Sequence, residues 1–247
     1  MFTAPSPAMQ IVIAICIFYA YDACVALRSN QALLLAPLHR HPWQTRLPTQ
    51  GYEVRWGYWM WPSWPHRPVY RLALDVAHLG LPGAPAPIAQ LRAHAHSFGG
   101  FALPLYLLAA TLFVALPVTL WVLKTEVSQL IAAACIYSLA LWLAALCWRH
   151  GKRGHTPQAK ARSIAVQIVM CPPFALNAVR RLSLAYEPAC NWAQAAHGLQ
   201  TGADWQHTAD ALQEVISTEL ADAQALQHPA PRIQPLQAAA AQLAQYR

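Results

Sequence analysis

Residues 101–148 carry only two charged side chains, Lys124 and Glu126, set two positions apart. So long a stretch almost free of charge constrains this chain more than any other feature. The break divides it into apolar runs at 101–123 and 127–148, and a third run covers 9–27. Each has about 20 residues, enough for a helix to cross a hydrocarbon core of roughly 30 Å. With only Lys124-Thr125-Glu126 between them, the second and third helices must form a tight antiparallel hairpin. Composition agrees: 56% of residues are hydrophobic and 11% charged, against about 25% charged in an ordinary soluble domain. The expected fold class is an all-α integral membrane protein with three transmembrane helices. No Lys or Arg precedes the first run, so a retained anchor is expected rather than a cleaved signal peptide.

Within the second run, Pro104 and Pro117 remove backbone donors, and a kink is expected at Pro117. In the third, Ala134/Ser138 and Ala140/Ala144 recur at four-residue spacing, which lets helices approach closely. Orientation follows from Lys and Arg. Residues 28–100 hold seven arginines against Glu53 and Asp75, and residues 149–181 hold seven basic residues and no acids. The positive-inside rule then puts the N-terminus outside and both basic segments, with the C-terminus, in the cytoplasm. The expected location is a bacterial inner (cytoplasmic) membrane.

Five segments result: a tail and first span at 1–27, a cytoplasmic loop at 28–100, the hairpin at 101–148, a basic linker with interfacial amphipathic helices at 149–186, and a helical cytoplasmic tail at 187–247. The loop contains "WGYWMWPSWP", with Trp56, Trp59, Trp61 and Trp64 between Arg55 and Arg67. Trp and Tyr concentrate where bilayer meets water, and Arg lays its stem on apolar surface while its head stays wet. The stretch is therefore expected to be an extended strap against the membrane surface or a partner, the alternative being an aromatic mini-core. Val69, Leu72, Ala73, Val76 and Leu79 predict a helix after Pro68, and a second short helix is expected over 87–98. Over 164–184, Pro172-Pro173 breaks an apolar run into two pieces, expected to lie in the interface, the alternative being a re-entrant or fourth span. In the tail, Trp205, Ala209, Leu212, Ile216, Leu220 and Ala223 form one helical stripe.

The chemistry is sparse. None of the six cysteines forms a CxxC pair, and buried free cysteines behave as small hydrophobes. The spans hold no histidine, which excludes a bis-histidine haem between these helices. Gly-rich phosphate loops, HExxH and GxSxG are absent. His39, His41, His94, His96 and His150 gather near the expected helix ends and are the only candidate metal ligands; they are expected not to form a site. Asp22 is the one acid inside a span, and intramembrane acids are functional candidates by default. Pairing with Arg28 or reach to the interface is the structural alternative. No cofactor and no nucleic acid is expected, because positive charge inside and interfacial aromatics already account for the basic loops. The favoured expectation is a non-catalytic structural or assembly subunit of a larger membrane complex, whose partners are other membrane subunits and the lipid bilayer. A metal-binding or redox subunit using the histidines, and a small transporter or proton-path component around Asp22, are the alternatives.

Overall fold

The computed structural model describes residues 7–37, 42–54, 57–60, 65–226 and 229–246. In chain order these form α1 (Pro7–Ala23), β1 (Val25–Leu27), β2 (Gln31–Leu35), β3 (Gln44–Arg46), β4 (Tyr52–Val54), β5 (Gly57–Met60), β6 (Val69–Ala73), α2 (Pro85–His96), α3 (Ala102–Ala110), α4 (Leu116–Val118), α5 (Glu126–Lys152), α6 (Gln158–Met170), α7 (Ala178–Leu184), α8 (Trp192–Leu199), α9 (Gly202–Ala225) and α10 (Ala230–Gln245). The chain is mostly helical, yet the all-α expectation is corrected by two three-stranded sheets. Two compact units share the chain discontinuously. A helical unit draws on Met1–Val25, Trp61–Pro68 and His96–Tyr186, and a mixed unit on Ala26–Met60, Val69–Ala95 and Glu187–Arg247.

In the helical unit, α5 buries one stripe: Ala132, Ile136, Ala140, Leu143, Ala144, Cys147 and Gly151. Those three- and four-residue steps place them on one helical face. Ile136, Ala140, Leu143, Ala144 and Cys147 share a core with Leu105, Leu108 and Leu112 and with Ile164 and Ile168 of α6. Gly151 permits the closest approach, since a Cβ there would lie 2.5 Å from that of Ala161. Of the small-residue pairs, Ala140/Ala144 lies in this core while Ala134/Ser138 faces outward. Wide five-residue turns at Thr111–Ala115 and Thr119–Leu123 flank Pro117. Pro117 has no N–H to give, and widening the turn is one way a helix absorbs that loss. The Thr119 hydroxyl donates to the Leu116 carbonyl at 2.8 Å. Lys124, at φ 53°, reverses the chain, and Thr125 caps α5 by accepting from the Ser128 N–H. Pro172-Pro173 separates α6 from α7 through a 3-10 segment, Pro172–Asn177.

The first apolar run ends differently from its expectation. Its helix stops at Ala23, and Val25–Leu27 is a strand. The apolar helical stretch Met9–Ala23 thus falls short of the 18 residues that Pro85–Leu123 and Glu126–Lys152 both exceed.

The mixed unit is built on β2, whose residues Ala32 to Leu35 are all buried. A strand buried on both faces needs hydrogen-bonded neighbours on both edges, and β3 and β6 supply them, both antiparallel, with Leu33 opposite Arg46 and Arg71. Residues 69–73 are therefore a strand rather than the predicted helix. Tyr70, Leu72 and Leu74 are buried while Arg71 and Ala73 are exposed; this period-two pattern coexists with the helical spacing, and pairing with β2 decides between them. Beside β2, Trp192 of α8 is wholly buried, and its indole N–H donates to the Leu33 carbonyl at 3.2 Å. An Asn191/Gln194 capping box starts α8.

In the second sheet, β4 and β5 pair as a hairpin with Glu53 opposite Tyr58, and β1 lies on β5. Gly57, at φ 150°, faces the Leu27 carbonyl oxygen so closely that no side chain fits. α9 buries Trp205, Ala209, Leu212, Ile216 and Ala223. The Trp205 indole N–H donates to the Tyr246 carbonyl at the end of α10, at 2.7 Å.

Candidate functional site

The helical unit presents an apolar exterior. Only 33% of the most apolar 18-residue window of Pro85–Leu123 is buried, and 28% of that of Glu126–Lys152. A core helix of a water-soluble domain would be mostly covered. Here Leu103, Val114 and Val118 are exposed on one helical stretch, and Leu130, Ile131, Leu141 and Trp142 on the other. α1 adds Ile13, Ile17 and Tyr21. Contiguous exposed apolar surface on this scale marks a face that meets lipid or protein. The ends of α5 are dressed for water: Glu126 lies in its first turn, and the exposed Arg149 and Lys152 in its last, each sign matching the helix dipole.

Asp22 lies inside a polar node. Its Oδ2 accepts from Asn177 Nδ2 at 2.8 Å. Asn177 Oδ1 accepts from Arg180 Nη1 at 2.8 Å, and the same Nη1 donates to the Ala23 carbonyl at 2.9 Å. Arg180 is 1% exposed. Burial pulls its pKa down, while the neighbouring Tyr19 and Asp22 favour its charged form. The node thus does two things. It satisfies a carbonyl in the last turn of α1, which has no partner within the helix, and it sets an acid beside a buried cation. Sequence reading offered Arg28 as the partner of Asp22. The actual neighbours lie some 155 positions along the chain, a distance that no local pattern spans.

Of the aromatic strap, Arg55, Trp56, Trp61 and Trp64 lie outside the described residues. Trp59 sits in β5 and is 44% exposed, whereas Arg67 is buried. Next to Arg67, His66 Nε2 and the Tyr106 hydroxyl are 3.1 Å apart. His39 and His41 also lie outside the described residues. His94 is buried in the mixed unit with Nδ1 2.9 Å from the Tyr70 hydroxyl. His96 is exposed. His150 is buried and stacked on Phe98, ring centroids 4.5 Å apart, with His155 at 5.1 Å. Among the described residues, no group of three or more His, Cys, Asp or Glu is placed to hold a metal ion.

Set against protein-family models, curated proteins and solved structures, the chain matches none.

One feature escaped sequence reading. A polar cleft of about 310 Å³ in the mixed unit is lined by Thr45 and Arg46 of β3 and by Gln200, Asp204, His207 and Thr208. The Thr45 and Thr208 hydroxyls are 3.0 Å apart. Gln200 Nε2 donates to the Trp43 carbonyl at 3.3 Å, while its buried Oε1 has no partner among the described residues. Thr201 donates to Asp204 Oδ2 at 2.6 Å. With one cation, one carboxylate and several amide and hydroxyl groups, this wall has the chemistry to hold a polar ligand or peptide segment. The spacing of Asp204, His207, Thr208 and Ala211 along one face of α9 was a readable signal. The contribution of β3 was not, because 163 positions separate Thr45 from Thr208.

Proposed function

We propose that this chain is a non-catalytic, membrane-embedded structural or assembly subunit of a larger complex in a bacterial inner membrane. The apolar exterior of the helical unit carries the proposal. Two helices of spanning length leave about two thirds of their most apolar windows uncovered, an arrangement that water penalises at about 25 cal/mol per Å² and lipid does not. α1 is the proposed third crossing. Its apolar helical stretch is short, about 22 Å at about 1.5 Å per residue, and local thinning of the bilayer or flanking side chains would accommodate the shortfall. The charge asymmetry supports an external N-terminus, with 28–100, the basic turn after α5 and the C-terminus in the cytoplasm. The polar cleft and the hairpin bearing Trp59 are proposed contact surfaces for other subunits.

Membranes from cells expressing the chain, washed in alkaline carbonate, test this directly. Retention in the pellet is expected; release into the supernatant would end the membrane proposal. Reporter fusions at residues 60, 125 and 200 should read inside, outside and inside. Purification in mild detergent followed by mass spectrometry should yield stoichiometric partners, and a chain recovered alone would remove the subunit role.

A further inference from the structure

An apolar groove of about 360 Å³ runs between α5 and α6 in the helical unit. Ala144, Ala145 and Trp148 form one wall, and Val166, Val169 and Met170 the other. The groove has a polar end and an apolar end. α6 folds back along α5 after the turn near Gly151, so residues 148, 152 and 162 lie towards that turn and residues 169 and 170 lie away from it. At the turn, Trp148 gathers two cations over its ring. The Arg162 guanidinium is 4.9 Å from the ring centroid and the Lys152 ammonium 5.9 Å, both within cation–π range. Both cations are exposed, and residues 149–181 contain no acid to neutralise them. At the far end, Val169 and Met170 are exposed carbon.

Two cations heading a carbon-lined trough complement an anion joined to a hydrocarbon chain. We propose that the groove binds an anionic phospholipid, with its phosphate at Lys152 and Arg162 and one acyl chain along Ala145, Val166 and Val169. Trp148 holds the level of the headgroup, as interfacial tryptophans do. Basic residues beside spanning helices are a recurrent means of holding acidic headgroups. This inference rests on the membrane placement proposed above.

The test uses the full chain reconstituted in nanodiscs of phosphatidylcholine with increasing phosphatidylglycerol, followed by native mass spectrometry of the released protein. The ratio of phosphatidylglycerol to phosphatidylcholine in the retained lipid should exceed that of the bilayer about tenfold, taking about fivefold per basic contact as the upper scale. K152Q/R162Q should lose most of that enrichment. A145W fills the trough without touching either cation, and should lose retained lipid of both kinds. Millimolar inorganic phosphate should compete poorly, because it lacks the acyl chain. Equal retention of both lipids by the native chain, or undiminished enrichment in K152Q/R162Q, overturns the proposal. So does free phosphate displacing the lipid, or a dimer or bound peptide that A145W abolishes while lipid retention is unchanged. Alkaline carbonate separates the two levels. A chain that washes off the membrane overturns the membrane placement and this inference together. An embedded chain without lipid preference overturns this inference alone.

Discussion

α5 and α9 are helices of similar length, 27 and 24 residues, and each buries a single, largely apolar stripe. They differ on the other side. α5 exposes Leu130, Ile131, Leu141 and Trp142, whereas α9 exposes Asp210, Glu214, Glu219 and Asp222. The buried stripe therefore reports only that a helix packs against something. The uncovered face reports the solvent. In the mixed unit that face is charged, as water requires. In the helical unit it is hydrocarbon, and only the ends of α5 carry charge.

The largest effect that would test this contrast is L141K/W142K, near the middle of α5. In a bilayer each charge costs about 2.5–3.5 kcal/mol at a helix centre, so membrane insertion should fail in a carbonate-wash assay. On a water-facing helix the same change should stay within about 0.5 kcal/mol, and normal insertion would break the comparison. Next comes Trp192→Ala in the mixed unit. Emptying a wholly buried indole site should cost about 4 kcal/mol. Protease sensitivity should rise across the mixed unit while carbonate resistance persists; loss of both would show that the units fold as one.

A middle-sized effect is expected at the polar node. Arg180→Ala leaves the Ala23 carbonyl and Asp22 without their buried cation and should lower stability by about 3 kcal/mol, read as a thermal shift in detergent. Arg180→Lys should rescue little, because the shorter side chain does not carry its ammonium to the point where one guanidinium nitrogen meets both Ala23 and Asn177. Full rescue by Lys would reduce the node to a charge effect. The smallest change is Thr208→Val, which removes the hydroxyl contact to Thr45 in the cleft and should cost about 1 kcal/mol. A chemical-denaturation midpoint unmoved by it would show that water replaces the contact fully.

How much was legible depended on whether a feature was local. The apolar stretches of α3 to α5, the turn at Lys124, the break at Pro172-Pro173 and the stripe of α9 all follow from composition and from 3.6-residue spacing, which neighbouring positions set. Residues 69–73 did not. Val69, Leu72 and Ala73 fit a helix as well as a strand, and partnership with β2, some 40 positions upstream, tipped the balance. The end of α1 misled for a related reason. Val25–Leu27 is apolar enough to prolong a span, but β5 offers it a strand edge.

The sequence by itself determined that this chain has helices with hydrocarbon on their exposed faces, where they break, and which segments carry the positive charge. Hydropathy, proline geometry and charge are properties of single residues and their near neighbours, and they survive without a fold. Only the tertiary structure decided that Asp22 meets Asn177 and Arg180, that β2 is sandwiched by β3 and β6, and that Trp148 stands with Lys152 and Arg162 at the head of a groove. Each of these joins residues from separate elements. Their meeting depends on which buried polar groups and apolar faces remain unsatisfied once the local elements have formed, and that is settled across the whole chain at once.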